Sequence, residues 1–291
     1  MTRSPGVTLR DGTRVPALGL GTWRMGESPA THDREVAALR AGLDLGMTLV
    51  DTAEMYGEGG AETVVGEAIA GRETVAGRET VAGREAPFVV SKVYPHNAGE
   101  RSAVAACKRS LARLGVASLD LYLLHWRGRI PLAQTVAAFE RLVADGLIRR
   151  WGVSNFDVDD MEELFALPGG DRCSANQVLY NLGERAADWR LREWCRAHAV
   201  TLMAYSPLGQ GPLLRERKLA AIARDAQCTP AQLALAWLLA RPDVIVIPKA
   251  GNIAHVRDNF GATNVTLSAS VSAALDAAFP PPRQPATISV I

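Results

Sequence analysis

Short runs of apolar, strand-forming residues alternate with longer amphipathic stretches along this chain, and they do so eight times. ALGLG, TLVD, PFVVSK, LDLYLLH, IRRWGVS, CSANQVLY, VTLMAYS and VIVIPK have the length and residue types of strands. Each is followed by a stretch of helical periodicity: REVAALRAGLDLG, AETVVGEAIAG, SAVAACKRSLARLG, PLAQTVAAFERLVADG, VDDMEELFAL, ADWRLREWCRAH, TPAQLALAWLLA and IAHVRDNFGA. Strands that are apolar throughout, such as LYLL and VIVI, predict a parallel sheet covered on its outer side by helices. Eight such units predict a closed (β/α)8 TIM barrel. An open dinucleotide-binding sheet would carry G-x-G-x-x-G after its first strand. Here Gly19 and Gly21 are followed by Arg24, so GLG is read as tight packing at the first barrel strand. Ahead of the barrel, VTLRDGTRVP alternates around Asp11 and Gly12 and predicts a β-hairpin with a two-residue turn. Residues 1–291 are expected to form one domain.

Residues 71–85 interrupt the pattern with GRETVAGRETVAGRE, a six-residue tandem copy. Six does not match a helical period, and two copies are too few for a solenoid. The segment is read as a duplication lengthening the connection between the second helix and third strand. Such connections lie on the barrel face opposite the active site, so it is expected to be catalytically silent.

A net charge of +1 gives no basic excess with which to hold nucleic acid or an anionic membrane, so neither is expected as a partner. The opening MTRSPGVTLRDG has no apolar signal-peptide core, and no run approaches the roughly 18 apolar residues of a membrane span. A cytoplasmic monomer is expected. Cys107, Cys173, Cys195 and Cys228 match neither zinc nor disulfide spacing and are read as reduced, mostly buried thiols; no metal site is expected.

The candidate chemistry sits at strand ends. Asp51 follows the second strand, Lys92 the third and His125 the fourth; Ser154 and Asn155 follow the fifth, Gln177 the sixth, Tyr205 the seventh and Lys249 the eighth. In a barrel these ends converge on one mouth. DTAEMYG places Tyr56 on the loop after the second strand, where its hydroxyl can hang over that mouth. A tyrosine pKa near 10 is high for an acid at neutrality. A cation about 4 Å away contributes roughly 4 kcal/mol at an effective dielectric of 20, lowering that pKa by about three units. Lys92 is the expected cation, Asp51 the group that keeps it protonated, and His125 a hydrogen-bond donor to a substrate oxygen, although His125 read alone suits a satisfied core histidine.

With these motifs in order over essentially its whole length (GLGTW, DTAEMYG, VVSKVYP, LLHW, GVSNF, NQVLYN, AYSPLGQG and IPKAGN), the chain closely resembles the aldo-keto reductase family of NAD(P)H-dependent barrels. The resemblance implies that Asp51, Tyr56, Lys92 and His125 are a catalytic tetrad with Tyr56 as general acid. It implies that Ser154, Asn155 and Gln177 hold the nicotinamide amide and that Tyr205 stacks on the ring. It extends cofactor contact to Gly21, Thr22 and Trp23, and to Ser206, Pro207, Leu208, Gly209, Gln210 and Gly211. At the far end it implies Ile247, Pro248, Lys249, Ala250, Gly251 and Asn252, then His255, Arg257 and Asn259. Lys249 matches a lysine on the adenosine 2′-phosphate. His255 and Ala250 stand where many members have arginine and serine, with Arg257 as a possible substitute, so NADPH is expected and NADH remains open.

Trp23, Tyr94 and Trp126, beside Tyr56 and His125, match the family's aromatic substrate wall; core packing is the alternative for each ring. An aromatic pocket with few charges suits aldehydes, dicarbonyls and reactive ketones. PPPRQPATISVI at the chain's end is short, and slight cover over the pocket is expected. The resemblance thus implies an oxidoreductase that reduces small carbonyl compounds. Alternatives are alcohol oxidation in the reverse direction, and a cofactor-sensing regulatory subunit on the same barrel.

Overall fold

The structure, a computed structural model, describes residues 5–72, 86–284 and 286–291. All but the first two residues of the duplicated segment, and with them its expected silence, lie outside the described residues. Eight short strands carry the barrel: β3 (Leu20–Gly21), β4 (Leu49–Asp51), β5 (Phe88–Val93), β6 (Leu121–Leu124), β7 (Trp151–Ser154), β8 (Ala175–Leu179), β9 (Thr201–Tyr205) and β10 (Val244–Val246). Neighbours in sequence pair in parallel throughout. The seam closes through parallel bridges Leu18 to Val246 and Gly21 to Lys249, with the Gly19 N–H donating to Val246 O at 2.8 Å. GLG serves that closure. A Cβ on Gly19 would stand 2.9 Å from Leu49 O, and one on Gly21 2.7 Å from Ile247 O, so only glycine lets the backbones meet.

The hairpin pairs β1 (Gly6–Thr8) with β2 (Arg14–Pro16), antiparallel, in the register Val7 to Val15. Its turn is longer than the expected two residues. Gly12 donates to Leu9 O and takes φ 83, while Leu9 donates to Thr13 O. Those contacts describe a type I turn completed by a left-handed glycine, the usual three-residue solution. Val7, Leu9, Val15 and Ala17 are buried in one cluster with Leu49, Phe88, Val90, Leu121, Leu123, Met203 and Ile245. The hairpin therefore plugs the barrel floor.

All eight expected helices form: α1 (His32–Leu45), α2 (Gly60–Ile69), α3 (Glu100–Leu114), α4 (Leu132–Ala144), α5 (Val158–Phe165), α6 (Leu191–Ala197), α8 (Pro230–Leu239) and α9 (Ile253–Gly261). Two more, α7 (Arg217–Asp225) and α10 (Ala269–Ala278), pack on one another outside the strand-helix pattern. Leu219 and Ala223 on α7 and Leu275 on α10 are buried, with Ile222, Val271 and Ala278 packed beside them at helical spacing, a periodicity that stands outside the eightfold strand-helix alternation. Among the described residues no helix is long and apolar enough to cross a membrane. Cys107, Cys173 and Cys195 are buried, Cys228 is partly exposed and all are free, and burial pushes the thiol pKa of Cys107 and Cys173 up to about 12.

Strand periodicity delivers the site. Side chains alternate between barrel interior and helix layer. On β5 the interior series is Phe88, Val90, then Lys92; on β6 it is Leu121, Leu123, then His125; on β4, Leu49 precedes Asp51. The apolar core gives way to polar chemistry one step up each ladder.

Candidate active site

Asp51, Tyr56, Lys92 and His125 come together at the mouth. Lys92 is fully buried, and its ammonium donates to Asp51 Oδ2 at 2.7 Å, to Thr52 O at 2.9 Å and to the Tyr56 hydroxyl oxygen at 3.2 Å. Burial alone would drive the proton off Lys92, but Asp51 and then Tyr56 outweigh it and hold the lysine pKa above its ordinary value. Burial raises the Asp51 carboxyl against the opposing pull of Lys92 and Gln177. The lysine decides the pair's state, since its two oxygen partners favour the charged form, and the contact is an ion pair.

The Tyr56 hydroxyl departs from expectation. Burial pushes its pKa up, Lys92 pulls it down by less, Asp51 adds to the rise, and the net direction is upward. The cation is visible in the sequence, whereas the desolvation that outweighs it is not. His125 moves oppositely. Burial, with Lys92 adding to it, drives the imidazole well below 6.5, so it is neutral at neutral pH. Its Nδ1 is buried without a hydrogen-bond partner, and its ring meets that of Tyr56 edge-on at 5.6 Å.

Around the tetrad the expected amide-binding residues are tied together. Gln177 Nε2 donates to Asp51 Oδ1 at 2.7 Å, Ser154 Oγ to Gln177 O at 2.8 Å and Asn155 Nδ2 to His125 O at 3.1 Å. Asn155 holds φ 62, outside the comfortable range of a non-glycine residue, and its Oδ1 accepts from the Tyr205 hydroxyl at 2.9 Å. Burial pushes the Tyr205 pKa up to about 12, keeping that donor protonated. Thr22 donates through N–H and Oγ1 to Asp51 O.

A cavity of about 530 Å³ runs from Asp51, Tyr56 and His125 past Tyr205 to Lys249, His255 and Asn259 on α9. Gly21, Thr22, Trp23, Ser154, Asn155 and Gln177 line it, as do Ser206, Pro207, Leu208, Gln210, Gly211, Ile247 and Pro248. Lys92 stays behind the lining, touching the cavity's chemistry through Tyr56. Gly209, Ala250, Gly251, Asn252 and Arg257 fall outside it. Asn252 is instead the N-cap of α9, its Oδ1 accepting from the His255 N–H at 2.8 Å. Arg257 is exposed and, two residues beyond His255, lies on another side of α9 from the cavity lining.

Trp23 and Trp126 line the cavity, whereas Tyr94 does not; it stands against Trp126 with ring centroids 5.9 Å apart. Arg24, Met55, Leu214, Ala231 and Asp258 also line the cavity, as do Val290 and Ile291. Arg24 lies over the Trp23 ring at 4.4 Å, and Asp258 follows His255 by three positions, a helical spacing that points to it. The chain's last residues reach the cavity, where Val290 and Ile291 stay more than half exposed. Ile288 is buried with its N–H donating to Asp157 Oδ2 at 3.3 Å, which carries Val290 and Ile291 onto the cavity rim. Among the described residues no group of three or more His, Cys, Asp or Glu is placed to hold a metal ion.

The site's donor set fits a pyridine dinucleotide. Its far end joins Lys249 to the N-terminus of a nine-residue helix, the arrangement that receives phosphate, and its near end offers amide and hydroxyl groups around an aromatic ring. Comparison with known proteins agrees with this geometry. A methylglyoxal reductase, YeaE, of Escherichia coli (strain K12) is 49% identical over 282 residues, 95% of each chain. A glyoxal reductase of Bacillus subtilis (strain 168) is 34% identical, covering 84% of this chain and 82% of its own. The crystal structure of an aldo/keto reductase from Klebsiella pneumoniae in complex with NADP and acetate superposes with a TM-score of 0.92 at 46% identity, covering 99% of this chain and 100% of that one. The profile of the Aldo/keto reductase family matches residues 17–279, from the barrel seam to the end of α10, and on fold, site and sequence together the chain belongs to that family.

Proposed function

We propose that the chain is an NADPH-dependent reductase that converts aldehydes, dicarbonyls and reactive ketones to alcohols, with Tyr56 as the proton donor. One observation carries this reading. An ammonium can only donate, so the Lys92 to Tyr56 hydrogen bond makes the phenol oxygen the acceptor and leaves its own hydrogen free for a ligand in the cavity. Neutral His125, beside it, keeps a single N–H that is too weakly acidic to be transferred and donates it as a hydrogen bond that orients the carbonyl oxygen. When bound, the reduced nicotinamide supplies the hydride that adds to the carbonyl carbon. Tyr56 passes its proton to the carbonyl oxygen, and Lys92 stabilises the phenolate that remains. Ser154, Asn155 and Gln177 orient the carboxamide, and Trp23 and Trp126 wall the carbonyl compound. The relatives' names, methylglyoxal reductase and glyoxal reductase, support small dicarbonyls as substrates.

Oxidation of NADPH against a panel of aldehydes, dicarbonyls and ketones tests the reading; no turnover with any of them overturns it. Reduction needs Tyr56 protonated, and its pKa is raised above 10. The expected kcat/KM is therefore flat from about pH 7 to about pH 9 and falls only as pH rises beyond. His125, depressed below 6.5, adds no limb there. A decline centred near pH 7 contradicts the assignment of the acid.

Lys249 and the α9 N-terminus are the groups proposed to receive the 2′-phosphate. Lys249→Met should weaken NADPH binding about tenfold, a loss of about 1.4 kcal/mol, while changing NADH binding little. Arg257→Ala should change neither, since Arg257 lies off the cavity. Fluorescence titration of both cofactors reads the difference, and a larger loss at Arg257 than at Lys249 reverses the assignment. We read the chain as a cytoplasmic protein and as a monomer, the latter supported by large apolar side chains that, among the described residues, are exposed only singly, as at Val143 and Ile253, or on the cavity rim. Light scattering tests the monomer.

A further inference from the structure

Glu54 sits inside the DTAEMYG run between Asp51 and Tyr56, yet it faces away from the tetrad. Its side chain is 6% exposed. The backbone N–H donates to Lys92 O at 3.3 Å, while Oε1 accepts from the Tyr94 N–H at 2.8 Å and from Asn97 Nδ2 at 3.0 Å. Arg109 of α3 approaches Oε2 at 3.5 Å from a half-exposed position. The residue thus grips the exit of β5 on both sides of Val93, whose carbonyl in turn accepts from the His125 N–H at 3.1 Å. Beyond that grip, Tyr94 stands edge-on against Trp126, and Trp126 packs on His125 with centroids 4.9 Å apart.

Burying a carboxylate is costly unless hydrogen bonds offset it, and here its two shortest bonds go to the loop that backs the aromatic wall, with Arg109 of α3 adding a longer one. We propose that Glu54 is a positioning residue that couples the Tyr56 loop to the Tyr94–Trp126 wall and so sets how well large, aromatic carbonyl substrates are held against the tetrad. A small dicarbonyl engages the tetrad with little wall contact and depends on Glu54 far less. The inference rests on the reductase reading above.

The test compares kcat and KM for methylglyoxal and for a naphthaldehyde, with NADPH affinity measured separately by fluorescence. For Glu54→Ala, KM for the naphthaldehyde is expected to rise about tenfold, with KM for methylglyoxal within about threefold and NADPH Kd within about twofold of wild type. Glu54→Gln keeps the Oε1 acceptor and should restore the naphthaldehyde KM. Asn97→Ala removes one of the same bonds from outside the Tyr56 loop and should raise it in the same selective way, which decides the matter if Glu54→Ala does not fold. Equal losses on both substrates, or an unchanged naphthaldehyde KM, overturn the proposal. Failure of the wild-type protein to reduce either substrate overturns the reductase reading instead.

Discussion

Tyr56→Phe is expected to lower kcat by about a hundredfold to ten-thousandfold, about 3 to 5 kcal/mol of transition-state stabilisation, while NADPH binding stays within about twofold. The size follows from what is removed. Phenylalanine keeps the ring that meets His125 at 5.6 Å and lies 4.8 Å from the Lys92 ammonium, so packing survives and only the hydroxyl is lost. No neighbour can take over. His125 is neutral, Lys92 is walled off behind the lining, and Asp51 is engaged by Lys92 and Gln177. Single-turnover measurement under saturating NADPH separates the proton step from product release. A variant that turns over within threefold of wild type would mean that another group donates the proton.

Lys92→Met is expected to act on both stability and rate. The 2.7 Å contact to Asp51 lies between side chains with 0% and 3% exposure, so removing the cation leaves a buried carboxylate whose main partner is gone. Breaking such a pair from one side costs about 3 to 5 kcal/mol. Asp51→Asn combined with Lys92→Met should recover much of that stability, because a neutral amide in place of the stranded carboxylate can still meet Gln177. It should recover none of the rate, since Tyr56 still lacks the charge that stabilises its phenolate. Urea unfolding of the two variants beside their kcat values makes the separation; a double variant as unstable as Lys92→Met would show that the charge on Asp51 is not what destabilises it.

Much of the site is legible in the sequence because the same alternation that buries Phe88 and Val90 inside the barrel also aims Lys92 at the mouth. Asp51 and His125 follow by the same rule on β4 and β6. The remainder is set by three-dimensional context. Desolvation of Tyr56 depends on how deep the loop sits, which no spacing reports. The charge of Arg257 is visible in the sequence, while its facing on α9, away from the cavity lining, is not. Tyr94 reads as a wall, and its place against Trp126 off the cavity lining, with its N–H on Glu54, is set by packing that spacing does not report. Val290 and Ile291 belong to no periodic element, so their place on the rim comes from Ile288 being anchored to Asp157. α7 and α10 carry helical periodicity of their own, but they stand outside the eightfold strand-helix alternation, which hides them.

The Lys92 ammonium has three hydrogens and three acceptors: Asp51 Oδ2, Thr52 O and the Tyr56 oxygen. Every one is spoken for, and the residue has no exposed surface. The tetrad is therefore a cul-de-sac for protons, able to stabilise a charge on Tyr56 but not to conduct a replacement to it from behind. After each reduction the proton that restores Tyr56 must enter by the cavity that admitted the carbonyl compound, which ties the refilling of the acid to the emptying of the site.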